Sequence, residues 1–225
     1  MALTYTEMIT EVQALTGREN DTVLITSARV LRWLNEGQLE IALECTGHLD
    51  LETKHATALT LVASTYSYSF SAITPTVLHL LTAFYMDGTG SKELLYRDTE
   101  DFDRDHPIPS LQTGIPNQYT RRGSTIEIYP APSSAEAGKY IRLDYTKRPT
   151  DMSIAQTTSQ LVDSDKGLIY YAVAEAFRAI GGDKVAEANL YRDTVNKTGW
   201  FYDWLYDYKL QKDGRYHSAA NRLFD

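Results

Sequence analysis

The hydrophobic period of this 225-residue chain changes twice, and that change constrains the fold more than any single motif. Thr125 to Tyr129 alternates: Ile126 and Ile128 point one way, Thr125, Glu127 and Tyr129 the other, which is the period of a half-buried strand. Pro130 and Pro132 stop it, because proline has no N–H for a sheet ladder. After a polar loop from Ser133 to Gly138, Tyr140 to Tyr145 alternates again, with Ile141, Leu143 and Tyr145 on one face. Arg121-Arg122-Gly123 reads as a tight turn whose glycine supplies a positive φ. The two alternating runs are predicted to pair as a β-hairpin whose apolar face covers a core made by the rest of the chain.

On either side the period is helical. Thr4-Tyr5-Thr6-Glu7 matches a capping box, with Met8, Ile9, Val12 and Leu15 behind it and Gly17 as the stop. Thr26 or Ser27 caps a second helix that carries Val30, Leu31, Trp33, Leu34, Ile41, Ala42 and Cys45 and ends at Gly47. Ser164 caps a third, with Leu168, Ile169, Ala172, Val173, Ala176, Phe177 and Ile180, broken by Gly181-Gly182. A fourth is predicted from Asp183 to Leu210. Its end is crowded by Trp200, Phe201, Tyr202, Trp204, Tyr206 and Tyr208, six aromatics that spread around most of the circumference. They are read either as burial between layers of one chain or as a contact with a second subunit, with Trp200, Trp204 and Tyr208 as interface candidates. From residue 51 to 150 the pattern is that of antiparallel strands, including Thr57 to Leu61, the aromatic run Tyr66, Tyr68, Phe70, and a return at Leu94 to Tyr96. The expected fold class is α+β: a helical bundle from residues 1–49 and 160–212, an inserted antiparallel β domain over 50–150, and a C-terminal tail over 213–225.

The net charge is −8, and residues 1–50 carry three basic against eight acidic side chains. Such a chain does not wrap nucleic acid through phosphate contacts. The lone cysteine, Cys45, excludes an intrachain disulfide and reads as a small core side chain. No apolar run reaches the roughly 18 residues of a membrane span, and the amphipathic N-terminus is unlike a signal peptide. Sixteen tyrosines favour interfaces.

The search for chemistry is negative. There is no phosphate-binding glycine loop, dinucleotide fingerprint or nucleophile elbow. His48, His55, His79, His106 and His217 are scattered, and one cysteine cannot build a thiolate zinc site. Asp101-x-Asp103-x-Asp105 resembles the start of a calcium loop, but His106 stands where glycine is needed and Gln112 where the bidentate glutamate belongs. It reads as a solvated connection with a helix cap at Asp98 or Thr99. Glu36 and Glu40 share a helix face, as an exposed face also would produce. No catalytic residue, metal site or cofactor is expected.

Leu31-Arg32-Trp33-Leu34-Asn35-Glu36, Tyr66-x-Tyr68-x-Phe70, Gly114-x-Pro116-x-x-Tyr119, Ile128-Tyr129-Pro130-x-Pro132, Tyr145, Arg148-Pro149 and Tyr170-Tyr171-Ala172-x-Ala174-Glu175-Ala176 follow one another along the chain. In that order they resemble the head-to-tail connector (adaptor) proteins of tailed double-stranded DNA bacteriophages. The resemblance implies a structural virion protein, assembled in the host cytoplasm. It would form a ring, usually twelve-fold, that docks under the portal protein, extends the DNA channel and receives the next tail component. It implies no reaction and no cofactor. On that reading the Glu36 and Glu40 face is a candidate channel lining past which DNA slides without specific binding. The tail, with Tyr216, His217, Arg222, Leu223 and Phe224, is expected to be disordered in the free protein and to order against the portal. Other readings are a tail terminator or head-stabilising protein, a virion-associated cell-wall hydrolase, which would need a carboxylate of raised pKa in a cleft, and a non-viral interaction module.

Overall fold

A computed structural model describes residues 2–19, 21–45, 48–71 and 73–212. The chain opens with α1 (Tyr5–Leu15) and α2 (Ser27–Glu44). It continues through β1 (Glu52–Thr60), β2 (Ser67–Ser69), β3 (Val77–Met86), β4 (Ser91–Glu93), β5 (Leu95–Tyr96) and α3 (Thr99–Asp105). Then come β6 (Thr113–Gly114), β7 (Gln118–Arg122), β8 (Thr125–Tyr129), β9 (Ala131–Pro132) and β10 (Tyr140–Lys147). It closes with α4 (Asp165–Ile180), α5 (Lys184–Tyr191) and α6 (Trp200–Lys212). The fold is α+β. Residues 52–147 form one compact unit, and residues 1–51 with 148–225 form the other.

In the helical unit α1 starts where its capping box says it should. The Thr4 hydroxyl accepts from the Glu7 N–H, and the Glu7 carboxylate accepts from the Thr4 N–H. Four of the unit's helices, α1, α2, α5 and α6, pack on α4. That explains why α4 is apolar nearly all round: Leu168, Ile169, Ala172, Val173, Ala176 and Phe177 are all buried. Cys45 is fully buried.

The predicted fourth helix is two helices. α5 ends at Tyr191, and Arg192 turns to an extended φ of −156°. The Asp193 carboxylate then accepts from the N–H groups of Val195 and Asn196. At Gly199, φ +98°, a Cβ would lie only 2.9 Å from the Asn189 and Leu190 carbonyl oxygens, so there is no room for one. A hydrophobic period running across this stretch could not show that Arg192 leaves the helix to pair with groups far away in sequence.

In the β unit two four-stranded sheets run in the orders β1-β10-β3-β4 and β2-β8-β7-β5. Pairing is antiparallel except for β5 on β7 and β6 on β9. The tight turn at Gly123, φ +60°, joins β7 to β8. The alternating runs at 125–129 and 140–147 are both strands, but they do not form the expected hairpin. β8 lies between β2 and β7 in one sheet, β10 between β1 and β3 in the other. Each run has both backbone edges taken, so they meet through side chains: Ile126 and Ile128 share one apolar cluster with Ile141, Leu143 and Tyr145, all fully buried. The period of an apolar face states that it must be covered, and covering by a facing sheet satisfies it as well as covering by a neighbour.

The return over Leu94 to Tyr96 also divides. β4 pairs with β3, and β5 crosses to the other sheet. The acidic run becomes α3, capped by the Asp98 carboxylate on the Glu100 N–H. Its side chains go to arginines: Asp101 to Arg104, Asp103 to Arg122 and Asp105 to Arg97.

Candidate interface on the helical unit

The two glutamates of α2 part company. Glu36 lies at the outer edge of the helix and makes an exposed ion pair with Arg32, 3.4 Å. Glu40 is drawn inward: its Oε2 accepts from Arg192 Nη2 at 2.5 Å, and Arg192 Nη1 donates to Glu175 at 2.8 Å. The guanidinium lies 4.2 Å over the ring of Tyr171, and its side chain is only 9 % exposed. Arg178 joins from the far side, to Glu175 and to the Arg192 carbonyl. Burial alone would lower the Arg192 pKa; the hydrogen bond and charge of Glu40 more than offset it, and the guanidinium stays charged. Tyr171 is pushed up to about 12 by burial. Its ring lies against Gly37, where a Cβ would meet it at 3.0 Å, and this close approach lets α2 and α4 share the ion-pair cluster.

α6 sorts its aromatics by a tandem tetrapeptide, Trp200-Phe201-Tyr202-Asp203 followed by Trp204-Leu205-Tyr206-Asp207. Four residues overshoot one 3.6-residue turn by only a little, so like side chains stack along the helix for two turns. Phe201 and Leu205 form the buried stripe, at 0 % and 3 % exposure, and Tyr208 extends it at 3 %. The tryptophans form the next stripe. Trp200 is half exposed and packs edge-on against Tyr191 and beside Tyr170. Trp204 stacks on Tyr208, ring centroids 4.6 Å apart, and lies directly over Gly167 of α4. Asp203 and Asp207 are exposed along the outer side. With Lys166 and Tyr170 of α4 these residues line a groove of about 350 Å³.

Tyr208 is committed inside its own unit. Its hydroxyl donates to the Val162 carbonyl at 2.9 Å and lies 3.0 Å from His48 Nε2, a pairing in which it accepts. Burial pushes its pKa far up, so it stays a phenol. Tyr208→Phe removes the hydroxyl that His48 Nε2 and the Val162 carbonyl share, at a cost of about 1 kcal/mol for the lost hydrogen bonding. A melting temperature unchanged from the parent chain would show that neither group depends on the hydroxyl.

Of the residues singled out from sequence, the structure brings Trp200 and Trp204 into contact with α4, and turns Tyr208 of the same helix to His48 and the Val162 carbonyl. It separates Glu36 from Glu40. Tyr216, His217, Arg222, Leu223 and Phe224 lie outside the described residues. Gly167, Arg192, Asp203 and Asp207 had gone unnoticed. A glycine inside an otherwise strong helix and the tetrapeptide repeat were the available signals. Arg192 had none, since its partners lie 17 and 152 residues away.

Residues 3–203 match the model of a family described as SU10 adaptor protein. No curated protein matches the chain.

Proposed function

Because the chain belongs to the SU10 adaptor protein family, a family of structural bacteriophage adaptors, we propose that it forms the head-to-tail adaptor ring of a tailed phage. The ring, of twelve copies, docks under the portal protein at the head–tail junction. It continues the DNA channel and offers the surface on which the next tail or nozzle component is built. The observation that carries this reading is the family match over most of the chain, supported by the order helices, strands, helices. The terminal helices act as one bundle toward the portal, with the β unit as an inserted domain.

Trp200 and Trp204 supply the subunit contact. A half-exposed ring, Trp200, and a partly buried one, Trp204, next to a ready groove are what an interface anchor requires, and Tyr208 stiffens Trp204 from behind. The tail, with Tyr216, His217, Arg222, Leu223 and Phe224, carries the portal contact: apolar anchors and cations within one short segment can spread over a large partner surface. Electron micrographs of the purified protein, alone and mixed with portal rings, test the assembly. Deleting residues 213–225 is expected to leave a folded protein that no longer attaches to portal. Attachment at full strength would move the contact to the helices.

Glu36 is the better channel-lining candidate, because Glu40 is held by Arg192. An acidic lining lets DNA pass without phosphate contacts. Glu36→Lys rings are expected to retain DNA at low salt and release it as salt rises. Retention equal to that of the parent ring would place this helix face away from the channel.

A further inference from the structure

Among the described residues, the sheet β1-β10-β3-β4 ends at two unlike edges, β1 with nine residues and β4 with three. Glu52 and Lys54 of β1 are exposed, and so are Ser91, Lys92 and Glu93 of β4. In an antiparallel sheet the backbone N–H and C=O groups of successive residues point alternately to the two neighbours. The Leu94 N–H donates to the Ala83 carbonyl. Lys92, opposite Tyr85, therefore also turns toward β3, and Ser91 and Glu93 aim their backbone groups outward. At the other edge the Leu61 N–H donates to the Lys139 carbonyl. The same alternation along β10 turns Leu143 toward His55 and Tyr145 toward Thr53, which leaves the backbone groups of Glu52 and Lys54 pointing out. Such edges are templates for another strand, and neither strand carries the proline that would block one.

The two edges complement each other. Every neighbouring pair in this sheet is antiparallel, so β1 and β4 run in opposite directions, and β4 of one copy can receive β1 of the next as a further antiparallel strand. Only registers that set outward-pointing residues opposite one another make the ladder bonds. One such register puts Glu93 against Glu52, a repulsive pair. The next puts Glu93 against Lys54 and Ser91 against Ala56. Both charged side chains then lie on one face of the sheet. Glu93 stands opposite Phe84, and Phe84 and Lys54 stand opposite Arg142 and Asp144, alternate residues of β10. Neither Lys54 nor Glu93 has an ion-pair partner among the described residues. We propose that β4 of one subunit pairs with β1 of the next in the Glu93–Lys54 register, so that the sheet runs on from copy to copy. Because the edges differ, the contact is head-to-tail, the kind from which rings close. Pairing of two β1 edges about a two-fold axis would also set Glu52 against Lys54, but it closes at a dimer and leaves β4 unused. The strand pairing rests on the reading of the chain as a ring subunit, and adds a contact in the β unit to the one assigned to Trp200 and Trp204.

Ring formation by the full-length chain, alone and with portal rings, tests it by sedimentation velocity and electron micrographs at low salt. Lys54→Glu and Glu93→Lys each set like charges across the edge. Each is expected to raise the protein concentration needed for rings by about three- to tenfold. Mixing the two variants in equal amounts is expected to restore the parent value, because in alternating order every contact again joins a carboxylate to an ammonium. In the two-fold β1 contact Glu93 takes no part. Both positions are exposed, so the reversals spare the fold, and the melting temperature checks this. Lys54→Pro removes an N–H that its own sheet leaves unused, so rings are expected to be lost with the melting temperature held. Where the proline variant melts early, the reversals decide alone. Glu93→Lys that assembles like the parent, a mixture that stays impaired, or rings that persist in Lys54→Pro overturn the edge pairing, while the ring of the parent chain stands. A parent chain that forms no ring, alone or with portal, overturns the adaptor reading and this contact with it.

Discussion

Arg192→Met is expected to destabilise the helical unit by about 3–5 kcal/mol, because it leaves Glu40 without its cation and Glu175 with Arg178 alone. Glu40 and Glu175 are each only about a fifth exposed, at 22 % and 23 % of the side chain. Methionine fills much of the arginine's volume, so the loss is chiefly of charge rather than of packing. For a domain of this size, about 2–4 °C per kcal/mol predicts a fall in melting temperature on the order of 10 °C. Arg192→Lys should recover only part, since an ammonium cannot fork between two carboxylates while lying flat over Tyr171. Restoring neutrality with Glu40→Gln and Glu175→Gln in the Arg192→Met chain should return a large share. A loss below about 1 kcal/mol, the size of an exposed pair, would mean that water already screens the cluster.

Gly167→Ala carries the other large effect, and its sign depends on one partner. A Cβ at this position would lie 2.1–2.5 Å from three ring atoms of Trp204. The ring is rigid and stacked on Tyr208, so it cannot swing aside without leaving its place in the groove. Overpacking of this kind costs about 1–3 kcal/mol, against at most about 1 kcal/mol gained from replacing a glycine in the first turn of α4. In the Trp204→Ala background the clash is gone and only the helix gain remains, so the same substitution should turn mildly stabilising. A double-mutant cycle measured by denaturant unfolding reads this coupling directly. Equal effects in both backgrounds would show that Trp204 does not rest on Gly167. Gly37→Ala is a useful comparison, since its Cβ would meet the Tyr171 ring at 3.0 Å, a contact that a small shift relieves.

Element types were legible from local chemistry. The capping box at Thr4, the Thr26 cap, the double-glycine stop after Ile180 and the turn at Gly123 act within a few residues, so the amino-acid order alone decides them. The same holds for the change of period that separates strands from helices. Partnership was decided by the tertiary structure. The runs at 125–129 and 140–147 each demanded a covered face, but which strand lies beside which depends on backbone edges competing across the whole unit. Arg192 broke a helix that its own neighbours favoured, because two carboxylates from other helices hold it more strongly than one further turn of α5 would. Glu36 and Glu40 have the same spacing and the same charge, yet only Glu40 lies within reach of that guanidinium. Periodicity reports how much of a side chain must be hidden; what hides it is settled only when distant segments meet.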